Sequence, residues 1–312
     1  MARTLPEALA RRPLLFEPVP PSARSSPARG ESMVGELVRT LRSVPRLDAI
    51  DVPELIDENH DGRPYYRSGD TRGFARRVAD EIGRDVAVNK VVAHLPSVDA
   101  VAAWAKETLE RGIRNMVLVG GSSRYIPYPG PSVIDADRVA RDALQAGGGL
   151  LGNIAIPQRT GEAHRMLTKT RSGARFFTTQ IVFDSESVLK MLREYDLLCR
   201  QSGHPPAAVV LSVAPIADEG DAEFVRWLGA DIPESAERSI LGGEEAQASQ
   251  RSIEHALEVF REVRDGAAAS GLEVSVGINV EQISQRHLGS AGEMLAAFAR
   301  LIDEPAPRSS SA

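Results

Sequence analysis

Cysteine is almost missing from this chain. Cys199 is the only one among 312 residues, which excludes an intramolecular disulfide and fits a reducing compartment. It sits in the helical-looking run MLREYDLLCRQSG, as a buried structural thiol would. No apolar run approaches the ~20 residues that a membrane-spanning helix needs. Positive charge is in deficit: 37 Lys and Arg face 43 Asp and Glu, a formal charge of −6, so the basic face of a nucleic-acid-binding domain is not expected. The opening MARTLPEALARRPLLF lacks the continuous apolar core of a signal peptide, and the Pro/Ser-rich tail EPAPRSSSA is expected to fray. No H-x-H or H-x-x-x-H spacing occurs, so no metal site is expected. What remains, 42% hydrophobic and 26% charged residues, is the composition of a globular protein. It is expected to be cytoplasmic, with neither a membrane nor a nucleic acid as partner.

Short β-branched runs alternate with helical patterns. The strand candidates are LLFEPV (14–19), LDAIDV (47–52), VAVNKVVAH (86–94), NMVLVGG (115–121), LLGNIAIP (150–157), ARFFTTQIVF (174–183), AAVVLSVAPI (207–216) and EVSVGINV (273–280). Between them, SVDAVAAWAKETLERGI opens on Ser97 at an N-cap and closes on Gly112. SAGEMLAAFARLI carries Ser290 and Glu293 at capping-box spacing. Strands alternating with helices imply a parallel sheet, and near-continuous apolar strands imply burial on both faces. Eight such units predict a (β/α)8 barrel: a single α/β domain over 1–312, with its core at about 14–302 and flexible termini. The long interval from Asp218 to Gly271 has room for extra helices between strands seven and eight. SARSSPARGES, after strand one, reads as a polar flexible loop.

Barrels of this kind place chemistry at the C-terminal ends of their strands. Those ends read Glu17, Asp51, His94, Gly120-Gly121-Ser122, Pro157, Gln180, Pro215 and Asn279. The first is the most pointed. In PLLFEPVPPSARSS an apolar strand ends on Glu17 and is stopped at once by prolines. A carboxyl between Phe16, Pro18 and Val19 loses hydration, which raises its proton affinity and suits it to general-acid work.

Other motifs read less specifically. GGGLLG (147–152) matches the dinucleotide fingerprint but follows a helix and enters a strand, the reverse of the required context, so it is read as a helix stop and turn. Lys90 has the chemistry of a Schiff-base lysine, yet four residues separate it from the expected strand end at His94, which favours a structural role. GGSSRY (120–125) offers backbone N–H groups suited to a phosphate or an amide-bearing ring.

Taken in order, these segments resemble the methylenetetrahydrofolate reductase family. FEPVPPS is similar to its F-E-F-F-P-P-K opening, VVAHLPS to H-L-T-C, and GIRNMVLVGGSS to G-I-x-N-I-L-A-L-R-G-D. GARFFTTQIVFD resembles G-A-x-F-x-x-T-Q-x-F-F-D, the most specific match, and VAPI with WLGADIPE resembles the P-G-I-x-P-I strand and the I-P segment after it. The resemblance runs from about residue 14 to residue 285. It implies a barrel that reduces 5,10-methylenetetrahydrofolate to 5-methyltetrahydrofolate. By position, Glu17 would be the general acid. Gln180 would contact the pterin, Phe183 would pack near the folate and Asn279 would lie near the site; Asp51 and Ser122, read from the strand ends, complete the expected substrate set. His94, Gly120, Gly121 and Ile156 would lie where flavin-dependent members hold FAD and would be the cofactor set.

The departures concentrate on the flavin. The family's R-G-D reads Gly120-Gly121-Ser122, A-Y-P-E-x-H-P-E reads AIPQRTGE, and the helix within EAHRMLTKTRSGA looks short. Y-T-L-N-R reads VGINV, with Val280 in place of an arginine. This pattern resembles the family's small flavin-independent branch, in which NADH donates hydride directly, and FAD is expected to be absent. Three alternatives stand beside it: an FAD-dependent reductase with rebuilt contacts, a lyase using Lys90, and a non-catalytic folate-binding barrel. NADPH in place of NADH is open, as is a monomer against a weak homodimer. Arg24, Arg29 and Arg124 have the charge to meet a polyglutamate tail.

Overall fold

Each of the eight apolar runs forms a strand, and the eight close on one another. The structure, a computed structural model, describes residues 4–59, 61–123 and 125–306. Its strands are β1 (Leu14–Glu17), β2 (Ala49–Val52), β3 (Ile56–Glu58), β4 (Pro64–Tyr66), β5 (Asp85–Val91), β6 (Asn115–Val119), β7 (Leu150–Ala155), β8 (Phe176–Thr179), β9 (Ala208–Val213) and β10 (Val276–Glu281). All but β3 and β4 pair in parallel as a closed barrel, β1-β10-β9-β8-β7-β6-β5-β2; β3 and β4 form an antiparallel hairpin after β2. The helices are α1 (Leu5–Leu9), α2 (Pro27–Arg42), α3 (Thr71–Ile82), α4 (Val98–Glu110), α5 (Val133–Gly147), α6 (Glu162–Ser172), α7 (Ser185–Gln201), α8 (Glu219–Trp227), α9 (Glu234–Leu241), α10 (Ala248–Ala269) and α11 (Leu288–Leu301). This is the expected (β/α)8 barrel, and α8 and α9 are the extra helices between its seventh and eighth strands.

Strand alternation sorts the side chains. Leu14, Phe16, Ile50, Val52, Val86 and Val88 face outward and pack under the helices. Leu15, Ala49, Ala87, Val117, Phe176 and Val210 fill the bore. Gly152 is required there: a Cβ at this position would lie 2.4 Å from the Phe176 ring. The α1 helix adds Leu5 and Leu9 to the same cluster, and the Leu5 N–H donates to Asp85 Oδ2 at 2.9 Å. The packing against the barrel thus begins at α1, before the core expected from about residue 14.

Local signals hold in part. Ser97 caps α4, its hydroxyl accepting the Ala100 N–H at 3.3 Å, and Gly112 follows at φ +76°. Ser97→Ala is expected to destabilise the fold by about 1 kcal/mol, read as a lower denaturant midpoint with an unchanged slope. Gly147 and Gly148 end α5 as the helix stop read in GGGLLG, with Gly148 left-handed at φ +67°. The capping box at Ser290 and Glu293 is corrected: α11 starts earlier, at Leu288, and the Ser290 hydroxyl bonds back to the His287 carbonyl. The polar loop after strand one is shorter than expected, because Ser26 caps a helix that starts at Pro27. His94 is not on strand three, which ends at Val91; it closes a 3-10 turn over Val92–His94. Cys199 is buried, as its context suggested. Among the described residues no helix is long and apolar enough to cross a membrane.

Candidate active site

One layer above the apolar bore, the inward positions turn polar. Leu15 is followed on the same face by Glu17, Ala49 by Asp51, Ala87 by Asn89, Phe176 by Thr178, and Val210 by Ser212. On β10 the matching positions are Asn279 and Glu281, in register with Leu15 and Glu17. Two neighbouring parallel strands thus end side by side on glutamates. Above them opens a cavity of about 630 Å3. Glu17, Asn89, Thr178, Gln180 and Glu281 lie on its surface, with Val119, Ile154, Phe224, Trp227 and Leu228 as apolar wall.

The prolines after Glu17 are strapped in place. The Glu17 carbonyl accepts the Gln282 N–H at 2.9 Å, Gln282 Oε1 accepts the Val19 N–H at 3.2 Å, and Gln285 Nε2 donates to the Val19 carbonyl at 2.9 Å. At the floor, Asn279 Nδ2 donates to Glu17 Oε2 at 3.1 Å and to Ser212 Oγ at 3.2 Å. Asp51 is fully buried, and neither of its carboxyl oxygens has a hydrogen-bond partner; the buried Asn89 Oδ1, Asn279 Oδ1 and Thr178 Oγ1 are unpartnered as well.

Burial and mutual repulsion raise the proton affinity of three neighbouring carboxyls. Burial, then the charges of Glu281 and Asp51, push Glu17 well above the usual carboxylate range, against a smaller opposing effect of the Asn279 hydrogen bond. Burial and then Glu281 push Asp51 up to about 7. Burial pushes Glu281 up to about 7 as well, opposed by its hydrogen bond with Ser212. The acids higher in the cavity differ, since each has a cation. Glu54 meets Lys90 at 2.5 Å, Asp57 meets Arg67 at 2.5 Å, and Asp221 pairs with Arg286 and, at 2.8 Å, with His287. The Lys90 ammonium is thereby committed to Glu54, the structural role its place in the strand suggested.

Gln180 lies just past β8. Its Oε1 accepts the Ile181 N–H at 2.9 Å, and its Nε2 donates to the Leu228 carbonyl at 2.8 Å. One N–H and one lone pair remain to meet a ligand. The expected acid Glu17 and, of the expected substrate set, Gln180 line the cavity, while Asn279 and Asp51 underlie it. Phe183 does not reach it: it packs with Ile181, Ala214 and Ile216, and its carbonyl bonds His255 Nε2 at 2.8 Å. Ser122, His94, Gly120, Gly121 and Ile156 are not on the cavity surface either. Glu58 of the hairpin gathers His94 Nε2 at 2.7 Å, the Ser122 hydroxyl at 2.5 Å and the Tyr128 hydroxyl at 2.7 Å. Gly120 and Gly121 serve packing, because a Cβ on Gly121 would sit 2.1 Å from the Tyr128 ring and one on Gly120 3.2 Å from Val133. The Ile156 N–H is taken by Glu162 Oε1 at 3.2 Å. Arg24 and Arg29 line an adjoining groove of about 730 Å3; Arg124 lies outside the described residues. Among those described, no group of three or more His, Cys, Asp or Glu is arranged to hold a metal ion.

Sequence reasoning missed Glu281, Ser212 and Asn89. Glu281 carried a signal of the same form as Glu17, an apolar strand ending on glutamate, and went unread because strand eight was closed at Val280.

No family model matches the chain, and no curated protein does. Among solved structures it is similar to an uncharacterized protein from Clostridium thermocellum described as binding two copies of 5-methyl-5,6,7,8-tetrahydrofolic acid. The two are 16% identical, the match covers 95% of this chain and 99% of that one, and the TM-score is 0.77. At that identity the likeness establishes a shared fold. A protein from Aquifex aeolicus VF5 (12% identity, 95% of each chain, TM-score 0.49) and oxaloacetate acetylhydrolase with oxalate (10%, 94% and 82%, TM-score 0.47) overlap too loosely for any inference.

Proposed function

We propose that this barrel binds a reduced folate over its acid floor and reduces 5,10-methylenetetrahydrofolate to 5-methyltetrahydrofolate, with Glu17 as the general acid and NADH as direct hydride donor. The observation that carries the reading is the Glu17 carboxyl, its proton affinity raised by burial and by neighbouring acids, on a cavity that Gln180 also lines. The methyltetrahydrofolate bound by the Clostridium thermocellum protein, which shares the fold, is the product of this reaction.

Methylenetetrahydrofolate is a cyclic aminal and resists hydride until a ring C–N bond opens. Glu17 gives its proton to N10; the N10–methylene bond breaks with its electron pair going to nitrogen, leaving a cationic iminium at N5. The ionised Glu17, with Glu281 beside it, stabilises that cation in a site poor in water. Hydride from NADH then reduces the iminium, and Glu17 regains a proton from solvent, so one proton and one hydride are consumed per turnover. The free N–H and lone pair of Gln180 match the donor and acceptor edge of a pterin. The hydride donor is a second substrate and shares the cavity, whose wall of Val119, Ile154, Phe224 and Trp227 suits a planar ring. The residues set aside for a flavin do not fit one: Tyr128 fills the space over Gly121, and His94 is committed to Glu58. No step is assigned to FAD.

Anaerobic oxidation of NADH, and separately NADPH, with methylenetetrahydrofolate tests this, with and without added FAD. Oxidation without FAD is expected. Oxidation only with FAD would leave a flavin-dependent reductase. A second reading, folate binding without turnover, draws on the methyltetrahydrofolate that the Clostridium thermocellum protein is described as binding. Methyltetrahydrofolate binding with no oxidation under either condition would establish it.

A further inference from the structure

The cavity floor holds more acid than a single proton donor needs. Glu17 and Glu281 end adjacent parallel strands in register, so their side chains leave the sheet on the same face at the same height. A polar chain joins them: Asn279 donates to both Glu17 and Ser212, and Ser212 meets Glu281. Asp51 on β2 stands beside Glu17 from the other side, fully buried, with both oxygens unpartnered. From β9 the floor receives only the uncharged Ser212. The other carboxylates of the cavity, Glu54, Asp57 and Asp221, are each neutralised by a cation of their own. No ion pair is formed by Glu17, Asp51 or Glu281 among the described residues. A floor with three crowded acids, one of them fully buried, and no cation is stable only if protons, or a positively charged ligand, offset its charge.

The geometry points to Glu281 as a positioning residue: it holds Glu17 in the proton-bearing form and supplies the negative charge that faces a cationic ligand. The cation it faces is the one formed in the proposed reduction, so the functional half of this inference rests on that reading; the charge relation to Glu17 does not. The two carboxyls act as a coupled pair, in which ionisation of one makes ionisation of the other harder. Consistently, the Glu281 charge is the first of the neighbouring charges raising Glu17, ahead of Asp51.

The test is an infrared pH titration of protonated carboxyl bands in the full-length protein, with Glu17→Gln identifying the Glu17 band. Glu281→Gln removes one charge and little volume. It is expected to move the Glu17 midpoint down by about one unit, a tenfold loss of proton affinity. Glu281→Asp keeps the charge and is expected to move it less; it also provides a second measurement should the glutamine variant fold poorly. The alkaline limb of the turnover profile is expected to shift by the same amount. A Glu17 midpoint unmoved in both variants overturns the inference, even if the wild type reduces folate. A shifted midpoint in a protein that oxidises no NADH supports the charge relation and refutes the reductase reading instead.

Discussion

Glu17→Gln is expected to lower methylenetetrahydrofolate reduction by about 10²–10⁴-fold while leaving the fold intact and methyltetrahydrofolate still bound. Glutamine keeps the side chain's size and its hydrogen bond to Asn279 but has no proton to give. Without that proton the aminal stays closed, and a hydride has no cation to reach. A residual rate would come from Glu281, which lines the same cavity and titrates near 7; Asp51 lies beneath and does not reach the surface. In the wild type, turnover should fall as the pH rises through the raised Glu17 pKa, because the acid form is the active one. The measurements are steady-state NADH oxidation and ligand binding read from Trp227 fluorescence, that ring lying on the cavity wall. A Glu17→Gln rate within tenfold of wild type would remove this carboxyl from the mechanism.

The expected loss depends on a strand end, and the strand ends were largely legible. Eight β-branched runs stand out because strands of a closed parallel barrel are buried on both faces and need apolar residues at nearly every position. A single polar residue at the end of such a run, Glu17 or Asp51, is conspicuous for the same reason. The hairpin of β3 and β4 was not legible: IDE and PYY are short and half-buried or exposed, with no apolar face to betray them. The role of that hairpin as the holder of Glu58, and through it of His94 and Ser122, was hidden as well. LPEAL at α1 is too short to show a helical period, and only the closed barrel explains why two leucines there are buried. Position along a motif also misled. GGSS and the histidine before it follow their strands, as site residues do, yet His94 and Ser122 bond Glu58 and Gly121 packs on Tyr128, away from the cavity. Which face a post-strand residue takes is set by the next loop, and the sequence carries no simple signal for that.

The same acid floor makes a prediction about stability. Asp51→Asn should stabilise the protein by about 2 kcal/mol at pH 8, raising the thermal midpoint by about 4 °C, and should change little at pH 4. Asp51 has no cation, no hydrogen bond and no exposure, and its pKa rises from 3.8 to about 7 on folding. Below the unfolded value both states hold the proton, and burial of a neutral acid costs little more than burial of an amide. Between pH 4 and 7 the unfolded chain gives up the proton while the folded one keeps it, so wild-type stability declines across that window and levels off above it. Asparagine has no proton to lose, so the Asp51 share of that decline vanishes; the share due to Glu17 and Glu281 remains. The expected gain is smaller than the full titration would give, because an amide N–H that finds no acceptor at this depth carries a cost of its own. Thermal unfolding of both proteins at pH 4, 6 and 8 measures it. A midpoint difference that stays constant over this range would mean that Asp51 ionises freely in the folded protein and that the floor is wet.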